Sequence, residues 1–245
     1  HRRQRQMCIR DRLRETGLKP KAKWVLAEGS DTSGMTRSIP IEKILDDCLI
    51  AWAMNGEALR PEQGYPARLV VPGWEGNMWV KWIRRLEFGD KPYMTREETS
   101  KYTDLLRDGK ARMFTWVMEA KSVVTSPSPE KPILHKGIQQ LRGLAWSGKG
   151  KIKRVDVSLD GGKNWRTAQL HAPIMSKSLV RFTLPFEWSG EELLIQSRAI
   201  DETGYVQPYI QELQKIRGKN SIYHNNSIAT WLVSKSGRVD NVRLG

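Results

Sequence analysis

Two cations and a glycine turn are the first groups in this sequence with a chemistry to offer. Arg68 and Lys81 lie either side of the Gly73-Trp74-Glu75-Gly76 turn. Phosphate recognition uses positive forks together with backbone N–H groups at glycine-permitted turns, and the segment supplies both. Cations beside a strand turn are also ordinary solvated charges, so the pattern alone points to an anion without identifying it. Soft-metal chemistry has less to work with. Cys8, Cys48, His1, His135, His171 and His224 show none of the close spacing of a zinc site, which argues against an all-protein zinc or iron–sulfur centre. Two cysteines also exclude a disulfide scaffold, while leaving the redox compartment open.

The elements that must position these groups come from 245 residues, 39% of them hydrophobic, enough for one large or two ordinary domains with real cores. No apolar run approaches the roughly 20 residues that span a bilayer, so membrane insertion is not expected. The first residues likewise lack the apolar centre of a secretory signal. Lys and Arg number 41 against 27 Asp and Glu, a net +14 that suits an anionic partner: nucleic acid, a lipid surface, a phosphorylated cofactor, an oxyanion or an acidic protein. Part of that charge is local. The string HRRQRQMCIRDR holds five arginines and one aspartate with no helical or strand period, and residues 1–12 read as a non-native tail outside the fold, with an RNA-binding arm as the functional alternative. On that reading the natural polypeptide extends upstream and the chain is a piece of it.

Residues 13–107 have α+β character. IEKILDDCLIAWAMNG places Ile41, Ile44, Leu45, Cys48, Leu49 and Trp52 at helical spacings, which predicts a helix with Cys48 on its buried face. ARLVVPG predicts a strand stopped by Pro72-Gly73, and NMWVKWIRRLEF alternates with period two, a second strand. Residues 108–245 change pattern: short β-rich runs recur between turn signals, as in a β-sandwich, with Asp160-Gly161-Gly162 as a hairpin turn and Pro127 and Pro129 in an early loop. Trp146, Trp165 and Trp188 are the candidate core aromatics.

Two blocks carry a family resemblance. AMNGEALRPEQGYPARLVVPGWEGNMWVKWIRRLEF, residues 53–88, is similar to the core block of the sulfite oxidase family of molybdopterin enzymes, and RVDVSLDGGKNW, residues 154–165, resembles the first hairpin of that family's immunoglobulin-like dimerisation domain. The likeness runs collinearly over about residues 22–245. GNMWVKWIRRL, KYTDLLRDGKAR, FTWVMEAKSVVT and SIATWLV look like its sulfane dehydrogenase branch, the molybdenum subunit. The fold so implied is a partial α+β molybdopterin-binding domain followed by an all-β immunoglobulin-like sandwich, the dimerisation domain.

The resemblance also implies roles. Asp31, Arg68, Trp79, Val80 and Lys81 match positions that hold the pterin cofactor: the cations meet its phosphate, while a carboxylate and main-chain groups satisfy its ring donors. Gln63 stands where sulfite oxidases have a histidine, and an amide there keeps hydrogen bonding without charge. Tyr102 matches the active-site tyrosine, and Arg217 the arginine that the dimerisation domain lends to an anionic substrate; their placement in one cleft would test the assignment. The implied cofactor is molybdenum-molybdopterin. The implied activity is oxidation of protein-bound sulfane sulfur in thiosulfate metabolism, with sulfite as the alternative substrate. Implied partners are a second copy through the sandwich, a cytochrome c electron acceptor and a sulfur-carrier protein, in the periplasm. The family's molybdenum-ligating cysteine lies upstream of the cofactor block. Cys8 falls in the tail and Cys48 on the apolar helix face, so no metal ligand is assigned in this chain and the piece alone is not expected to turn over. A non-enzymatic immunoglobulin-like binding module and a nucleic-acid binder resting on charge alone are the rivals, and neither accounts for the collinear blocks.

Overall fold

Strand pairing draws more of the N-terminal sequence into the fold than its composition suggests. The computed structural model describes residues 6–221 and 223–244, and the chain divides into two units, residues 1–116 and 117–245. In the first unit the elements run β1 (Gln6–Cys8), α1 (Ile9–Thr16), β2 (Trp24–Gly29), β3 (Thr36–Pro40), α2 (Ile41–Asp46), β4 (Leu49–Ala51), β5 (Ala53–Met54), β6 (Glu57–Ala58), β7 (Arg68–Val70), β8 (Ile83–Gly89), α3 (Arg96–Ser100), β9 (Asp104–Leu105) and β10 (Ala111–Arg112). Antiparallel sheets of order β3-β2-β8 and β1-β4-β7 carry it. The central strand β2 buries Val25, Leu26 and Ala27 in succession, as a strand covered on both faces does.

Three expectations need correction here. Residues 6–12 are not outside the fold: β1 pairs antiparallel with β4 in the register Gln6↔Ala51 to Cys8↔Leu49, and Ile9 is buried with its N–H donating to the Cys48 carbonyl at 3.3 Å. Apolar Met7, Cys8 and Ile9 drive this, in a string whose arginines mask them; residues 1–5 lie outside the described residues. The helix expected over 41–56 ends at Asp46. Asp46 and Asp47 are poor helix formers, Leu49–Ala51 gains two strand partners instead, and Asn55-Gly56, both at positive φ, closes the β5–β6 hairpin. Cys48 remains buried, its Sγ 3.2 Å from the Lys43 carbonyl. The period-two strand expected from Asn77 begins only at Ile83, because Gly76–Met78 forms a 3-10 turn and Trp82 sits at φ 49°, a left-handed kink no strand accommodates.

The second unit is a two-sheet sandwich, as the turn spacing predicts. Its strands are β11 (Lys121–Ser126), β12 (Gly137–Trp146), β13 (Ile152–Ser158), β14 (Arg166–Thr167), β15 (Gln169–His171), β16 (Val180–Trp188), β17 (Leu193–Asp201), β18 (Thr230–Val233) and β19 (Val239–Val242), with α4 (Ile210–Arg217) between β17 and β18. Sheets of order β11-β12-β16-β15 and β14-β13-β17-β18-β19 face each other across one core. Along β16 every second residue, Val180, Phe182, Leu184, Phe186 and Trp188, is buried, each large side chain contributing about 1.5–3 kcal/mol. Gly143 lies opposite Phe182 in β12, and a Cβ there would meet both the Phe182 ring and, at 2.5 Å, the Val123 carbonyl. Of the three tryptophans expected in this core only Trp188 is in it. Trp146 and Trp165 are half-buried, and Trp165 carries the Arg198 guanidinium 4.2 Å over its ring, so its indole serves a charged surface.

The boundary between units falls after Trp116, nine residues later than the turn pattern predicts. Trp116 stacks on Trp74 at 5.2 Å between centroids and touches Trp24 and Phe114, all of the first unit, so aromatic packing carries the chain past the last β-poor segment. Residues 117–245 expressed alone are expected to give a cooperative thermal melt with a β-type circular dichroism spectrum; a broad, non-cooperative loss of signal would contradict this.

Candidate functional site

Between β7 and β8 the chain folds back on its own strand and makes a cavity. The turn at Pro72-Gly73, the 3-10 turn and the loop 79–82 are pinned at three backbone points: Leu69 N–H to the Val80 carbonyl at 2.8 Å, Ile83 N–H to the Ala67 carbonyl at 2.9 Å and Ser30 N–H to the Trp82 carbonyl at 2.9 Å. The cavity has a volume of about 250 Å³ and is lined by Asp31, Arg68, Trp79, Val80 and Lys81, with Asn77 and Trp82 among its other walls. A neighbouring cavity of about 480 Å³ shares Asp31 and Trp82 with it. Five of the six cofactor residues singled out in the sequence thus border one space.

Arg68 is its best-defined group. Nη1 donates to the Gln63 carbonyl at 3.0 Å and Nη2 to the Trp79 carbonyl at 2.9 Å, while the buried Nε has no hydrogen-bond partner. The guanidinium lies 5.7 Å from the Trp79 ring centroid, and burial lowers its pKa. A buried guanidinium N–H without an acceptor is the position an anionic ligand oxygen would satisfy. Lys81 Nζ donates to the Glu62 carbonyl at 3.0 Å and sits 4.5 Å over the Trp82 ring. Its stem passes so close to Gly64 that a Cβ on that glycine, which has φ 105°, would fall 2.9 Å from the Lys81 Cβ.

Asp31 heads a turn: its Oδ1 accepts the Met35 N–H at 2.9 Å and its Oδ2 accepts the Ser33 hydroxyl. The Ser33 bond, then the Met35 bond, hold its pKa below the usual carboxylate value, with the Lys81 charge adding to them. Each carboxylate oxygen keeps a lone pair for a further donor. Gln63 is placed differently from its expectation. Its side-chain Oε1 accepts the Arg60 N–H at 3.1 Å, and only its carbonyl, through Arg68, is connected to the cavity.

Tyr102, also in the first unit, is 9% exposed and stacks on Arg37, whose guanidinium carbon lies 4.0 Å from the ring centroid. It is not among the residues lining the cavity. In the second unit Arg217 ends α4 at 3% exposure, with Nη2 3.4 Å from Glu119 Oε2. That oxygen also meets His224 Nε2 at 3.2 Å and the Tyr205 hydroxyl at 3.1 Å, and Lys149 Nζ approaches Oε1 at 3.7 Å. Burial alone would raise the Glu119 pKa; the His224 hydrogen bond, followed by the Arg217 charge, outweighs it and brings the group down to about 2. Arg217 therefore stands against a carboxylate rather than in an all-cationic setting. Glu119, Arg37 and Asn77 are absent from the sequence expectations. Glu119 had a signal, an acidic residue inside an otherwise apolar strand entry; Arg37 in TRSIP had none. A further cavity, about 700 Å³, lies in the second unit beside Lys121, Gln196 and Tyr209.

Comparison with known proteins gives a consistent set of relatives. The family described as "Oxidoreductase molybdopterin binding domain" matches residues 7–97, and "Mo-co oxidoreductase dimerisation domain" matches residues 112–231. Sulfite oxidase of Gallus gallus is 35% identical over 70% of this chain and 40% of its own length. A nitrate reductase [NADH] of Solanum lycopersicum is 31% identical over 82% of this chain and 26% of its own. Among solved structures, the sulfane dehydrogenase SoxCD from Paracoccus pantotrophus superimposes with a TM-score of 0.94 at 60% identity, covering 98% of this chain and 62% of that one. The chain spans about 40% of the sulfite oxidases it matches.

Proposed function

The chain belongs to the sulfite oxidase family of molybdenum-cofactor oxidoreductases, with its molybdopterin-binding domain followed by its dimerisation domain, and from that premise we propose that it serves a sulfane dehydrogenase. The carrying observation is the buried, partnerless Nε of half-buried Arg68 in a cavity shared with Asp31, Trp79, Val80 and Lys81. These residues fit the pterin. Arg68 and Lys81 hold its phosphate, Asp31 accepts from its ring donors, and the backbone of Trp79 and Val80 lines the remainder. Gln63 acts from behind, its carbonyl fixing the Arg68 fork. When bound, the cofactor supplies two-electron oxidation of a sulfur atom, with the electrons leaving for a cytochrome c subunit.

The remaining work falls to side chains of this chain. Tyr102 holds a proton at its phenol oxygen, hydrogen-bonding to the reacting sulfur group, and Arg217 supplies positive charge for an anionic sulfur. Sulfane sulfur on a carrier protein is the preferred substrate, because the sulfane dehydrogenase is the relative at 60% identity whereas the sulfite oxidase stands at 35%. The setting is periplasmic. The sandwich pairs with a second copy, so residues 117–245 are expected to sediment as a dimer, and a monomer at high micromolar concentration would contradict that pairing.

In the cofactor-loaded complete enzyme Arg217→Gln is expected to raise KM for the sulfur substrate, since it removes charge present in both ground and transition states. Tyr102→Phe should lower kcat by about 10²-fold, the lower end of what a positioned acid or base contributes, with little change in KM. Steady-state cytochrome c reduction with a persulfidated carrier protein and with sulfite checks both variants. Turnover of sulfite in preference to the carrier would replace the sulfane reading with the sulfite one.

A further inference from the structure

We propose that Arg37 is a positioning residue that locks the ring of Tyr102 to the wall of the cofactor cavity. The inference rests on the role of Tyr102 proposed above. Arg37 lies mid-strand in β3 and is 0% exposed, as is its partner Glu98 on α3. Each of its three guanidinium nitrogens has a hydrogen-bond acceptor. Nε donates to Glu98 Oε1 at 2.8 Å and Nη2 to Glu98 Oε2 at 3.1 Å, a two-pronged pairing that fixes the plane of the fork. Glu98 Oε1 is itself held by the Ser38 N–H at 2.8 Å.

With its plane fixed, the guanidinium acts in two directions. Its central carbon lies 4.0 Å over the Tyr102 ring centroid, and Nη2 also reaches the Thr115 carbonyl at 3.4 Å, while the Thr115 N–H donates to the Tyr102 carbonyl at 2.8 Å. Ring and backbone of Tyr102 are therefore referred to one group. In the other direction Nη1 donates to Asn77 Oδ1, and Asn77 lines the cavity of Arg68 and Lys81, its Nδ2 donating to Glu75 Oε2 at 3.0 Å. One guanidinium thus spans from the cavity wall to the tyrosine, which does not itself line that cavity. A buried ion pair adds little net stability, since dehydration offsets attraction. What the planar fork adds here is orientation, which a lysine ammonium cannot reproduce.

Incorporation of 3-fluorotyrosine in the full chain tests this by ¹⁹F NMR, the Tyr102 resonance being the one missing from Tyr102→Phe. Arg37→Met combined with Glu98→Gln removes both charges together, so neither is left buried alone; Arg37→Lys keeps the charge and loses the plane. In each the Tyr102 resonance is expected to shift and broaden while those of Tyr205, Tyr209 and Tyr223 stay in place. In the cofactor-loaded complete protein, which carries the upstream metal ligand, kcat should fall by between about 10- and 100-fold with KM held within about twofold. Should the double variant fail to fold, the Arg37→Lys spectrum decides. An unmoved Tyr102 resonance overturns the inference, as does a moved one with unchanged kcat. If Tyr102→Phe itself keeps full kcat, the proposed role of Tyr102 falls instead, and the resonance shift still reports the hold of Arg37 on the ring.

Discussion

Arg68→Ala is expected to leave the protein folded and to lower its pterin and molybdenum content by about tenfold. A charge-assisted hydrogen bond contributes about 1.5–3 kcal/mol, and Arg68 is partly rather than fully buried, which places it at the lower end, near the 1.4 kcal/mol that makes a factor of ten. The variant loses more than charge. Its two carbonyl contacts tie Gln63 on one side and Trp79 on the other to the end of β7, so their loss loosens the loop that carries Trp79, Val80 and Lys81. Arg68→Lys should recover part of the content, since an ammonium replaces the charge but reaches only one of the two carbonyls. Lys81→Ala should have a smaller effect, its ammonium being solvent-reachable and replaceable by water. Unchanged pterin in purified Arg68→Ala would remove this side chain from the site.

Glu119→Ala should destabilise the second unit by about 3 kcal/mol, the cost of leaving buried positive charge without its counterion, and lower its melting temperature by about 10 °C. The carboxylate faces Arg217, His224, Lys149 and the Tyr205 hydroxyl. Its pH signature follows from the same contacts. The folded pKa of about 2 lies below the ordinary 4.5, so the unfolded chain takes up the proton first as pH falls. The stability Glu119 contributes is complete above about pH 4.5 and is lost between there and about pH 2. Thermal melts of residues 117–245 against pH, with and without Glu119→Gln, check both statements; parallel curves for the two proteins would contradict them.

The contrast between what the sequence conveyed and what it concealed is physical. The sandwich strand β16 was legible because it has one buried face, so the period-two alternation Val180-Phe182-Leu184-Phe186-Trp188 is written directly into the residues. The cavity residues were legible only through the family block. Arg68 and Lys81 gave charge and a turn, but nothing local signals that the Arg68 fork closes on the Gln63 and Trp79 carbonyls. Where sequence misled, tertiary pairing won over local pattern. Leu49–Ala51 reads as the continuation of a helix and instead becomes the middle strand of β1-β4-β7, and Gln6–Cys8 reads as charged tail and supplies its edge. The polar networks were least visible of all. Arg37 and Glu98 are 61 residues apart and Glu119 and Arg217 are 98 apart, separations at which no spacing rule operates.

The central claim is that the cavity between β7 and β8 receives the phosphate of the pterin through Arg68. A crystal structure of the protein produced in a host that synthesises the cofactor tests it most directly. The account predicts density for the phosphate within hydrogen-bond reach, about 3 Å, of Arg68 Nε, with Lys81 Nζ turned toward it and Asp31 meeting the pterin ring. Pterin density placed elsewhere, with Arg68 Nε still lacking an acceptor, would contradict it.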